Sequence, residues 1–352
     1  MKEHIVITGA SGLVGRALLA RYLDQGHPVI ALCRKPPALP SNPLMSWHWA
    51  DVSLPHLGLD PATYAEVCAK ARMVFHLAAR TDFKDAKATS YLPVNLEGVE
   101  HALALAQEAG GPLHHVSTAF VCGDWLGEFR EADLGLGQGF RNGYEESKFL
   151  GESFLHRAMA TATPVPITVY RPGIVVERNP SAASGKTFGP FLFLDAVVRL
   201  REMAATDDVG PSALRVLGNR LAHLPLVFDD AVAEALVRLA AKPESAGLVF
   251  QLVAPQPVGN ILLEDAFNEA FGQPAARFAD EDAFSRQPAN SLEALLARKT
   301  TPYAAYLDLS VRFTRHNLDA FAGTDSLPTP TRAELAKAFR AFLAARTQRS
   351  AP

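Results

Sequence analysis

Cysteine is scarce in this chain. Cys33, Cys68 and Cys122 are its only three among 352 residues. They are widely spaced and odd in number, which argues against both a disulfide framework and a zinc site. Long apolar runs are missing too. The most apolar later window, Gly189 to Val198, is interrupted by Asp195 and falls far short of the roughly 20 residues a membrane-spanning helix needs. No block of like charge appears and the formal net charge is only −3, so neither nucleic acid nor an anionic membrane surface is expected as a partner. The opening MKEHIVITGA moves directly into a strand-like run, and no signal peptide is expected. A small-molecule partner and a reducing, cytoplasmic setting fit these absences. The 48% hydrophobic and 20% charged residues are those of a globular protein with a substantial core.

Strand and helix signals alternate through the first half. A β-branched run at Ile5 to Thr8, a helix from Leu13 to Gln25 and a strand at Pro28 to Cys33 make a βαβ unit. Further strands are predicted at Met73 to Leu77, His115 to Thr118 and Thr168 to Tyr170, with helices at Asn95 to Glu108 and Tyr144 to Thr161. Such alternation implies an α/β fold, a doubly wound parallel Rossmann sheet with helices on both faces. After Pro172 the pattern loosens, with Pro and Gly scattered through 178–190 and 210–225. A helix at Asp229 to Ala241 and a strand at Leu248 to Val253 read as a return to the sheet. The expected division is a dinucleotide-binding domain over 1–185, rejoined by 221–254, and a smaller, mostly helical substrate-binding cap over 186–220 and 255–352, ending in an amphipathic stretch from Thr331 to Arg346.

Between the first strand and first helix lies Thr8-Gly9-Ala10-Ser11-Gly12-Leu13-Val14-Gly15. Gly9 suits the tight turn, Gly12 lets backbone approach a pyrophosphate, and Gly15 permits close packing of helix on strand, with the helix N-terminus facing the anion. At the end of the second strand a protein that prefers NAD usually carries an acidic residue for the ribose 2′-hydroxyl. This chain reads Leu32-Cys33-Arg34-Lys35. Arg34 is suited to a 2′-phosphate and to stacking on adenine, which favours NADP over NAD; the plainer alternative is a solvated basic loop. Asp51, followed by Val52, stands where the adenine edge would lie or is simply a turn aspartate.

Tyr144 and Lys148 occur four residues apart in Tyr-Glu-Glu-Ser-Lys, one helical turn and one face. A phenol has a reference pKa of about 10, and a neighbouring ammonium is expected to lower it. Thr118, from a separate segment, supplies a second hydroxyl to hold a carbonyl oxygen as hydride is exchanged.

With these residues in view, the first 250 or so positions resemble the extended short-chain dehydrogenase/reductase superfamily. The strings that carry the resemblance are TGASGLVG, His-Leu-Ala-Ala at 76–79, Asn95 in Val-Asn-Leu-Glu-Gly, Ser117-Thr118, Tyr144-x-x-x-Lys148 and Tyr170-Arg171-Pro172-Gly173. HHVSTAFVCG, NGYEESKFLGE and VYRPGIVV look most like its male-sterility type, which includes fatty acyl-CoA reductases and the thioester reductase domains of carboxylic acid reductases. The resemblance implies that Thr118, Tyr144 and Lys148 are catalytic. It also implies that Ala78 and Ala79, with Pro172, Gly173, Ile174 and Val175, line the dinucleotide, the latter four beside the nicotinamide and Lys148 on its ribose. Asn95 would support a helix and a water linked to the lysine; alone, it reads equally as a helix cap.

The activity this implies is NADPH-dependent reduction of an acyl thioester to aldehyde, and onward to alcohol, the thioester being presented by CoA or a separate acyl carrier protein. The chain is too short for adenylation and carrier modules of its own. Thr118-Ala119-Phe120 lacks the acidic pair of the related sugar-nucleotide dehydratases, which disfavours dehydration. Two alternatives remain: an oxidoreductase of sterol- or flavonoid-like alcohols and ketones, and a non-catalytic dinucleotide-binding protein. Cys122 reads as a small packed residue with no activating base. His114 and His115 point to opposite sheet faces and read as structural, so no metal site is expected. Phe83, Phe188, Phe191 and Phe193 are candidates for an acyl tail, though such residues are more often core.

Overall fold

The computed structural model describes residues 3–83, 85–161, 165–181, 189–204 and 213–350. The chain divides into two compact units, one of 1–173, 229–253 and 311–327, the other of 174–228, 254–310 and 328–352.

The first unit is built on a seven-stranded, fully parallel sheet. From one edge to the other its strands are Val249–Leu252, Ile167–Pro172, Leu113–Val116, Ala71–His76, His4–Thr8, Val29–Leu32 and Met45–His48. Numbered along the chain the order is 3-2-1-4-5-6-7, the doubly wound order whose reversal lies beside the first strand. Interior strands buried on both faces should be apolar throughout, and His4–Thr8, Val29–Leu32 and Ile167–Pro172 are almost entirely buried. On one face Val6, Ile30, Val74, Leu113 and Val169 meet Tyr64 and Val67 of helix Pro61–Lys70, Val99, Leu103 and Ala106 of helix Glu97–Ala109, and Leu155 of helix Gly143–Ala160. Helices Leu13–Asp24 and Asp229–Ala240 pack on each other. The helix Pro61–Lys70, not expected from the sequence pattern, starts where Asp60 accepts the amides of Ala62 and Thr63, an ordinary N-cap followed by proline.

An exposed sheet edge invites pairing with other chains and is usually covered. At Val249–Leu252 the cover is helix His316–Ala322, whose Asn317 Nδ2 donates to the Val249 carbonyl. Buried Glu131 fixes this helix by accepting the amides of Asn317 at 2.6 Å, Leu318 at 3.3 Å and Gln251 at 3.1 Å. Strand Val311–Phe313 pairs with Gly127–Phe129.

In the second unit, helices Pro190–Ala204, Asn260–Phe271, Ser291–Thr300 and Arg332–Ser350 accompany three two-stranded pairings: Ile174–Val176 with Leu226–Phe228, Leu214–Leu217 with Ala276–Ala279, and His223–Leu224 with Val258–Gly259. Phe191 stacks on Phe342 at 4.9 Å between ring centroids, Phe193 meets Tyr303 edge-on at 6.3 Å, and Phe188 lies outside the described residues. No helix among the described residues is long and apolar enough to cross a membrane.

Candidate active site

The glycine-rich turn joins the first strand to the first helix. Gly9 has φ +69°, and its amide donates to the carbonyl of Leu32 at the end of the second strand. A Cβ on Gly9 would lie 2.6 Å from the Ala78 nitrogen, and one on Gly15 2.3 Å from the Gly9 oxygen. Turn, helix and the segment after the fourth strand are thus in backbone contact. Helix Leu13–Asp24 begins at Gly12 with no side-chain cap and no acidic residue in its first turn. Its first amides and its partial positive charge are therefore open to an anion, the requirement for holding a pyrophosphate. Ser11 and Gly12 are exposed, and Leu13 and Val14 half-buried. Thr8 Oγ1 accepts from the Ala78 amide at 3.4 Å and bonds His76 Nδ1 at 2.9 Å.

Arg34 and Asp51 come together at 3.9 Å, Arg34 being 69% exposed and so open to a ligand. Burial alone would raise the Asp51 carboxyl, but hydrogen bonds from Ser53 and the Arg34 charge hold it below its ordinary value. Val52 is buried, its carbonyl bonded to His101 Nδ1 at 2.8 Å; it supports the loop from beneath. Ala78 and Ala79 follow the fourth strand, and Pro172 ends the sixth, where the Gly173 amide donates to Leu252. Ile174 and Val175 lie in the second unit, in the strand paired with Leu226–Phe228.

Asn142 caps helix Gly143–Ala160 by accepting the Glu145 amide at 3.0 Å. Tyr144 therefore stands in the helix's first turn. Thr118 caps the short turn Ala119–Cys122 after the fifth strand, and its side chain shares a hydrogen bond with the Tyr144 phenol. Phe83 packs against the Tyr144 ring, 5.3 Å between centroids. Burial pushes the phenol up to about 12, against the pull of the Thr118 hydrogen bond. Lys148 is fully buried and donates from Nζ to the Val116 carbonyl at 2.9 Å. Burial brings its ammonium down to about 8, while Glu152 acts in the opposite direction. Burial, not Lys148, thus sets the direction at Tyr144, and the expected lowering is not seen here.

Asn95 is not a helix cap. Its Oδ1 accepts the Arg80 amide, and its Nδ2 donates to the Arg80 carbonyl and to Ser147 Oγ at 2.8 Å. It ties the segment after the fourth strand to the helix that carries Tyr144 and Lys148. Sequence reasoning also passed over Glu152 and Arg171 as a pair, although Tyr144, Lys148 and Glu152 recur at helical spacing. The rings of His114 and His115 are both buried in the sheet, pushed below their ordinary value by burial. His114 stacks on Phe75 and bonds the Tyr170 hydroxyl. No cluster of His, Cys, Asp or Glu among the described residues forms a metal site. Cys122 is fully buried and its thiol is pushed up to about 12 by burial. Because the thiolate is the reactive form, Cys122 is expected to resist iodoacetamide in the folded protein and react after denaturation. Cys122→Ala is expected to leave turnover unchanged; both are read by mass spectrometry and a steady-state assay.

Residues 41–215 match the family described as male sterility protein. Hybrid PKS-NRPS synthetase pvhA of Talaromyces variabilis is 30% identical over 177 residues, covering 49% of this chain and 4% of that synthetase. The chain therefore spans a small fraction of the curated relatives it matches. Among solved structures, the terminal R domain from the myxalamid PKS-NRPS biosynthetic pathway aligns with a TM-score of 0.72 and 22% identity over 99% of this chain and 91% of that one. MoeE5 in complex with UDP-glucuronic acid and NAD aligns with a TM-score of 0.68 and 17% identity over 98% and 99%. At such identities the structures speak to the fold alone. The fold and the family match together define an NAD(P)H-dependent oxidoreductase of the extended short-chain dehydrogenase/reductase class. Within that class, it is the segment 41–215 that is similar to the male sterility family.

Proposed function

We propose that this chain reduces an acyl thioester to the aldehyde, and onward to the alcohol, with NADPH as reductant and Thr118, Tyr144 and Lys148 as its catalytic residues. The observation that carries the reading is the Thr118–Tyr144 hydroxyl pair at the end of the fifth strand, in a chain whose relatives include PKS-NRPS synthetases. The likeness to part of a PKS-NRPS synthetase supports a carrier-bound thioester over acyl-CoA. Three free cysteines support a cytoplasmic setting.

The uncapped helix at Gly12 suits a pyrophosphate, and the backbone of Gly9 against Ala78 leaves no side chain in its way. When bound, the nicotinamide supplies the hydride. The two hydroxyls hold the carbonyl oxygen and stabilise the negative charge it gains. Tyr144 then gives up its proton. With its phenol pushed up to about 12, Tyr144 stays protonated through neutral pH and acts as an acid, which suits reduction. Lys148 provides fixed positive charge behind it. Loss of the thiol from the tetrahedral adduct yields aldehyde; a second round yields alcohol.

Arg34 and Asp51 form the adenine end, with Arg34 as the ligand of the 2′-phosphate. Arg34→Ala is expected to raise KM for NADPH by about tenfold, the equivalent of one charge-assisted hydrogen bond, with KM for NADH unchanged. Equal effects on both cofactors would remove the NADP preference. The reaction itself is tested by following NADPH absorbance with acyl-CoA, acyl-carrier thioester and the matching aldehyde. Turnover of sterol or flavonoid ketones with none of these would overturn the thioester reading in favour of an alcohol or ketone oxidoreductase.

A further inference from the structure

One helical turn beyond Lys148, Glu152 is fully buried and meets the equally buried Arg171. Arg171 Nε and an Nη both donate to Glu152 Oε1, at 2.8 and 2.6 Å. Glu152 Oε2 makes no hydrogen bond. Arg171 in turn donates to the Asp133 carbonyl at 2.8 Å and lies 5.4 Å from the centre of the Phe129 ring. A buried ion pair of this kind is a poor source of stability, since desolvation offsets its Coulomb attraction. Burial would raise the Glu152 carboxyl, yet the Arg171 charge holds it down to about 2, so it is an anion at every working pH.

Lys148 stands one helical turn before this anion and feels its charge. His76 and His115, from the fourth and fifth strands, stack on each other at 5.4 Å beside it. Burial, with help from Lys148, keeps both imidazoles neutral. Tyr144 is neutral as well. Among the described residues, the charged or titratable groups around the ammonium are therefore Glu152 on its own helix and, behind Glu152, Arg171 on the sixth strand and His156, whose Nε2 lies 3.4 Å from Glu152 Oε1. Only one of them has the sign to compensate a buried cation.

We propose that Glu152, clamped by Arg171, is a positioning residue whose fixed negative charge keeps Lys148 protonated and turned to the Val116 carbonyl. The inference rests on Lys148 acting as proposed above, but its test does not depend on the substrate. The sign follows from burial, which lowers Lys148, and from Glu152, which raises it; removing the carboxylate lets the ammonium lose its proton at lower pH.

The test follows the Cε resonance of Lys148 by NMR in the full chain, assigned with Lys148→Arg. Glu152→Gln is expected to lower the titration midpoint by about one pH unit and to move the alkaline loss of kcat by the same amount, with KM little changed. The double variant Glu152→Gln/Arg171→Met does not leave Arg171 as an unpaired buried charge, and it is expected to show a fall in the same direction even where the single variant is too unstable to study. A purely structural role would reduce the unfolding temperature and leave the midpoint in place; an unchanged midpoint in either folded variant overturns the inference. A Tyr144→Phe protein that still turns over would instead overturn the proposed function while leaving this measurement intact.

Discussion

Tyr144→Phe is expected to lose NADPH-dependent turnover by about a hundred- to ten-thousand-fold, the usual contribution of a placed general acid. The change deletes one oxygen. The ring that packs against Phe83 at 5.3 Å remains, and so does the Asn142 cap that sets the start of its helix. Dinucleotide binding and the unfolding temperature should therefore match the parent protein. What is lost is the proton donor and the partner of Thr118. Steady-state absorbance at the reduced nicotinamide band, with dinucleotide titration by fluorescence, separates the two effects. Near-parental turnover would remove the catalytic reading of Tyr144 and favour a protein that binds the dinucleotide without using it.

Gly9→Ala is expected to be the most damaging small change in the turn. At φ +69° an alanine costs about 1–2 kcal/mol in backbone strain. Its Cβ would also press to 2.6 Å from the Ala78 nitrogen and 2.8 Å from the Leu77 carbonyl carbon. Those are backbone atoms that cannot rotate away, and overpacking of this sort costs roughly 1–3 kcal/mol more. The sum, roughly 2–5 kcal/mol, should appear in denaturant unfolding together with loss of dinucleotide binding, because the same displacement tilts the amides at the start of helix Leu13–Asp24. Wild-type affinity in this variant would sink the assignment of the turn to the pyrophosphate.

The periodic parts of the fold were legible because burial on both faces writes itself into composition. Val29–Leu32 is apolar for that reason, and the helix from Gly143 follows its polar cap. Short pairings leave no such trace: Gly127–Phe129 and Val311–Phe313 are three residues each and join segments far apart in sequence. At the site, glycine spacing and Tyr-x-x-x-Lys named residues that the structure brings onto neighbouring elements. Electrostatics were less legible. A lysine four residues from a tyrosine suggested a lowered phenol, but the direction depends on burial and on where Nζ points, here to Val116. Asn95 was ambiguous because an asparagine before a helix serves equally as a cap; only its distance to Ser147 separates the two.

The carboxylate of Glu131 has consequences for how the chain is made. Its partners at Asn317 and Leu318 are synthesised 186 and 187 residues later, after two excursions of the chain into the other unit. Closing loops of that length is slow and entropically costly. On the ribosome the nascent dinucleotide unit therefore carries a buried acid short of two donors and an uncovered sheet edge at Val249–Leu252 until residue 327 has emerged. Through that interval it presents the kind of open strand on which chaperones act and aggregates begin.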